Sequence, residues 1–85
     1  MSKIQKSILL ILSGNSDANF KFKDIQNVLN NLGFENRIKG SHHIYFKNGI
    51  DEILNIQSNG SMAKAYQVKQ IRNIILKYKL LKNAL

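Results

Sequence analysis

Phe22-Lys23-Asp24-Ile25-Gln26-Asn27-Val28-Leu29-Asn30-Asn31-Leu32-Gly33-Phe34 is the stretch on which the fold turns. Phe22, Ile25, Val28, Leu29 and Leu32 are spaced three, three, one and three apart, which is one face of an α-helix. Gly33 stands where a glycine just past a helix end belongs, and Phe34 is placed to pack back on the last turn. After it the period changes. Residues 34–39 are expected to form a first strand, followed by Gly40-Ser41-His42-His43-Ile44-Tyr45-Phe46-Lys47, bounded by Asn48-Gly49. In an extended chain His42, Ile44 and Phe46 face one way, and His43, Tyr45 and Lys47 the other. The apolar pair Ile44 and Phe46 places the first set against the helices. A third strand, Ile53 to Gln57, completes an antiparallel meander that Asn59-Gly60-Ser61 breaks.

Helices are expected on both sides of this segment in sequence. Ile4, Ile8, Ile11 and Leu12 share one face of a short helix ending at Gly14, and Asn15 to Asn19 is a polar turn. A final helix from about Ala65 to Lys79 carries Val68, Ile71, Ile75 and Tyr78 at helical spacing. The expected order is α-α-β-β-β-α, an α+β domain over residues 1–85 with its helices on one face of a three-stranded antiparallel sheet.

Composition narrows the chemistry. The 85 residues lack Cys, which excludes a disulfide framework, a thiol nucleophile and a cysteine zinc site. Ile8 to Leu12, preceded by Lys3 and Lys6, is too short for a secretory core or a membrane span, so a cytoplasmic protein is expected. The net charge is +8 and uneven: residues 53–85 hold Lys64, Lys69, Arg72, Lys77, Lys79 and Lys82 and no acid. One sign of charge at one end suits an anionic partner, and nucleic acid fits it well.

Most catalytic templates fail against these residues. His42 and His43 are adjacent, so on a strand they face apart and make a poor metal pair. The five acids are scattered, Ser41 has no obvious acid to complete a triad, and no phosphate-cradling glycine pattern occurs. Lys39-Gly40-Ser41-His42-His43-Ile44-Tyr45-Phe46 overlaps an RNA-recognition signature, but Ser41 and His43 replace its stacking aromatics and a fourth strand is missing. One chemistry survives. An imidazole among cations suits metal-free RNA cleavage, in which the ribose 2′-hydroxyl is the nucleophile and Lys39 or Lys47 faces the developing oxyanion. A non-catalytic module for double-stranded RNA or DNA is the alternative, and a basic protein-interaction domain is the third reading.

Leu32-Gly33-Phe34 followed by Arg37-x-Lys39-Gly40-Ser41-His42-His43-Ile44 resembles the HicA family of bacterial type II toxins. So does Ile56-Gln57-x-Asn59-Gly60 leading into Ala63-Lys64-x-Tyr66-Gln67-Val68-Lys69-Gln70-Ile71-Arg72. The resemblance covers roughly residues 20–80. It implies a double-stranded-RNA-binding-like α-β-β-β-α fold, here with an extra N-terminal helix over residues 1–14. It also implies an mRNA endoribonuclease that needs no metal or other cofactor, blocks translation and is silenced by a HicB-type antitoxin. Membrane and small-molecule partners are not expected. On that resemblance His42 is the catalytic position, and Lys39, Gly40, Ser41, His43, Lys47, Lys64 and Lys69 are expected to contact RNA. Ser61-Met62 and Ala65 depart from the family pattern ahead of the last helix.

Overall fold

The computed structural model describes residues 2–83. Helix α1 (Lys3–Ser13) is followed by a 3-10 turn (Asp17–Asn19) and helix α2 (Phe22–Asn31). Strands β1 (Glu35–Lys39), β2 (His42–Phe46) and β3 (Leu54–Ile56) form an antiparallel sheet in the order β1-β2-β3. A small hairpin, β4 (Ser58–Asn59) and β5 (Met62–Ala63), leads into helix α3 (Ala65–Tyr78). The architecture is α+β with main elements in α-α-β-β-β-α order, and the α-β-β-β-α succession follows α1.

The end of α2 is a Schellman motif. Gly33 N–H donates to the Asn30 carbonyl at 3.1 Å, and Phe34 N–H reaches back to the Leu29 carbonyl, also at 3.1 Å. That closure needs a left-handed residue, and Gly33 has φ +88°. Phe34 is buried, so the chain leaves α2 already turned toward the sheet. Phe22, Ile25, Val28, Leu29 and Leu32 form the buried face anticipated from spacing, packed with Phe20 ahead of α2, Ile8 and Ile11 of α1 and Val68, Ile71, Ile74 and Ile75 of α3. The N-terminal helix is therefore part of the core, because two of its side chains are fully buried. Arg72 fastens it there. Its guanidinium donates to Asp17 Oδ1 at 2.8 Å, Asp17 Oδ2 at 3.1 Å and the Ile11 carbonyl at 3.0 Å.

The sheet face is a correction. Tyr45 of β2 is buried with Leu54 and Ile56 of β3, while Ile44 and Phe46 lie on the face away from the helices. The reason is register. Leu54-Asn55-Ile56 alternates without ambiguity, so its apolar pair points inward, and Tyr45 and His43 pair with those two residues. β2 has rings at successive positions, and its own pattern could not decide between its two faces. β3 is also shorter than the expected Ile53 to Gln57, and the hairpin β4–β5 was not anticipated. That hairpin is anchored by Phe22 N–H on the Ser61 carbonyl and Ala63 N–H on the Phe20 carbonyl.

Candidate nucleic-acid interface and active site

β1 and β2 are joined by only Gly40 and Ser41. Gly40 has φ +62° and Ser41 does not share the positive sign, the pattern of a type II′ hairpin turn with glycine first. This turn places Lys39 directly opposite His42, and their side chains share the face that no helix covers. His42 is exposed. Its Nδ1 lies 2.9 Å from Asn55 Oδ1 on β3. With a carbonyl oxygen as acceptor, Nδ1 carries the ring proton, and in the neutral ring Nε2 keeps its lone pair. The turn is also held by Gln57, just past β3, whose Nε2 donates to Ser41 Oγ at 3.0 Å. Gln57 is itself fixed by Gln67, which is 1% exposed at the start of α3. The Gln67 amide, oriented with its nitrogen toward the Gln57 carbonyl, makes two hydrogen bonds to the Gln57 backbone, at 3.1 and 3.0 Å. A chain of polar contacts thus runs from the helix layer to the corner bearing His42.

His43 has a different role. It faces the helices, half-buried, with its ring edge-on to Phe22 at 5.1 Å between centroids and its Nδ1 3.2 Å from Gln26 Nε2. The Gln26 amide donates, so Nδ1 accepts and the ring is a packing element between β2 and α2. Beside it, burial pushes the Tyr45 hydroxyl above its usual range, partly offset by hydrogen bonding with Gln26.

The remaining basic residues divide. Lys47 does not join His42. It lies five residues along, roughly 16 Å at strand rise, and on the opposite parity. Its ammonium sits over Gly33, where a Cβ would come within 2.6 Å of Nζ and where the α2 dipole favours a cation. Lys64 immediately precedes α3 and Lys69 is exposed on it, so both belong to the helix layer rather than to the uncovered face. Nor is the basic C-terminal segment a single free cationic surface. Arg72 is spent on Asp17, and Lys77 pairs with Glu52 at 2.9 Å. The hydrogen bonds that Arg72 donates to Asp17 raise its pKa, and the bond that Lys77 donates to Glu52 raises that of Lys77. Folding brings acids of residues 1–52 onto cations of residues 53–85, which charge counted along the chain does not reveal. The Lys82 side chain lies outside those described.

Arg37 was noted only within the family motif, yet it stands on the uncovered face opposite Ile44, its guanidinium carbon 5.5 Å from the Phe46 ring centroid. Asn55 was missed altogether. Its importance depends on the β2–β3 register, and no local signal announces it. Among the described residues no group of three or more His, Asp or Glu is placed to hold a metal ion, and no helix is long and apolar enough to cross a membrane. Comparison with protein-family models, curated proteins and solved structures found no significant match to the chain.

Proposed function

We propose that this chain is a HicA-like toxin of a type II toxin–antitoxin pair, a metal-independent endoribonuclease that cuts mRNA in the cytoplasm. The observation that carries the reading is the exposed His42 ring, tied through Nδ1 to Asn55, with Lys39 directly across the hairpin. Nε2 removes the proton from a ribose 2′-hydroxyl, and the oxygen attacks the adjacent phosphorus. The bond from phosphorus to the 5′-oxygen breaks, leaving a cyclic phosphate on one fragment. Solvent protonates the departing 5′-oxygen. The Lys39 ammonium faces the charge that develops on the phosphoryl oxygens. Gly40 and Ser41 serve by shaping the turn. A HicB-type antitoxin silences the protein by covering this corner, and acidic side chains on that partner would complement Lys39.

The experiment is RNA cleavage in chelator. The unmodified protein is expected to yield cyclic phosphate ends, and His42→Ala to bind RNA while cutting roughly 10²–10⁴-fold more slowly. Equal cutting by both proteins would remove His42 from the reaction. Binding without cutting by either would leave the non-catalytic nucleic-acid module as the correct description.

A further inference from the structure

The uncovered face of the sheet carries more than His42. Its β1–β2 pairs follow one another as Lys39 with His42, Arg37 with Ile44, and Glu35 with Phe46. Pairs on one face of a sheet are about 6.6 Å apart along the strands, roughly one step of an extended single-stranded nucleic acid. The middle and far pairs are joined by the Arg37 guanidinium lying over the Phe46 ring, 5.5 Å from its centroid. Arg37 is exposed and Phe46 half-buried beneath it. Ile53, 63% exposed, immediately precedes β3, and continuing the register would set it beside Phe46.

We infer that this face is a track for single-stranded RNA, with a base stacked on the Arg37–Phe46 platform one to two nucleotides from the phosphate held at Lys39 and His42. The inference rests on the ribonuclease reading only for the position of that phosphate. Charge complementarity selects the occupant: Lys39 and Arg37 supply phosphate contacts at successive pairs. The Arg37 plane and the apolar side chains beneath it supply a stacking surface that tolerates any base. Single-stranded RNA fits where a duplex does not, because the bases of a duplex are already stacked on one another and closed to a flat protein face. Glu35 ends the cationic run and marks where the backbone of the strand leaves the sheet.

The test uses the full chain carrying His42→Ala, so that binding is read without cutting. Labelled oligouridines of increasing length, a duplex RNA and a duplex DNA are titrated at low salt. Affinity is expected to rise with length until the strand spans all three pairs and to exceed that for either duplex. Arg37→Lys keeps the charge and loses the plane; Phe46→Leu keeps apolar volume and loses the ring. Each is expected to weaken single-strand binding roughly tenfold while circular dichroism and duplex binding stay unchanged. Tighter binding to a duplex, failure to bind RNA at all, or single-strand affinity indifferent to Arg37→Lys would overturn the track. Cleavage by the unmodified protein is scored separately. Loss of binding in Arg37→Lys without any cleavage by the unmodified protein upholds the track and rejects the ribonuclease, whereas cleavage with indifferent variants does the reverse.

Discussion

His42 depends on a single amide for its orientation. Asn55 Oδ1 accepts from Nδ1 at 2.9 Å, and an asparagine there holds the ring without adding charge. Asn55→Asp would put a carboxylate against Nδ1, favour the imidazolium and, on the proposed mechanism, displace the lower limb of a cleavage pH profile toward higher pH. On the proposed mechanism, Asn55→Ala is expected to reduce kcat with little change in KM, because the ring loses its preferred tautomer and direction while Lys39 is left in place. A pH–rate profile of the three proteins separates these outcomes, and a merely structural Asn55 would not move it. His43 makes the contrast. Adjacent in sequence and identical in chemistry, it is consumed by contacts with Phe22 and Gln26.

At the scale of elements, α1 and α3 are coupled through Arg72, which reaches both the Ile11 carbonyl and Asp17. Its side chain is 15% exposed and that of Asp17 21%, so water weakens the pair without removing it. Arg72→Ala is expected to cost about 2 kcal/mol, read from the urea unfolding midpoint. Arg72→Lys should recover only part of this, since an ammonium cannot bridge both carboxylate oxygens and the carbonyl in the same planar geometry. That link could not be read from the sequence, because its partners stand 55 and 61 positions away from Arg72. The helices themselves were legible, since Ile and Val at three- and four-residue spacing admit one buried face. β2 was not. With His43, Ile44, Tyr45 and Phe46 in succession, both of its faces qualified, and only pairing with Leu54 and Ile56 selected Tyr45 for the core. The corner of Lys39, Gly40, Ser41 and His42 was legible as a motif. Of its other members, Gln57 stood in the later motif with nothing to tie it to Ser41, and Asn55, on β3, was visible only once the register was known.

For the molecule as a whole, paired charges set the response to acid. Glu52 accepts hydrogen bonds from Tyr78 and Lys77, which hold its pKa below the usual carboxylate value, with the Tyr78 bond the larger cause. A lowered folded-state pKa contributes stability above the unfolded value of 4.5, and that contribution is lost as pH falls through the folded value. Glu52→Gln should therefore melt below the unmodified protein near neutral pH, with the difference closing in acid. Thermal melts over that range check it.

The β1–β2 hairpin gives the molecule a second, weaker level of stability. All five residues of β1 are exposed, and a Cβ placed on Gly40 would meet nothing within 4 Å. The strand is thus retained by its ladder to β2 and the Arg37–Phe46 contact, with no buried side chain of its own. Such a lever opens locally far more often than the core unfolds. Amide hydrogens at Arg37 to Lys39 are expected to exchange faster than those of Val28 or Ile71. On the proposed ribonuclease reading, RNA cleavage should fail at urea concentrations where circular dichroism still reports an intact fold. On that reading the working lifetime of the protein is that of one hairpin, and tightening its core would leave that lifetime unchanged.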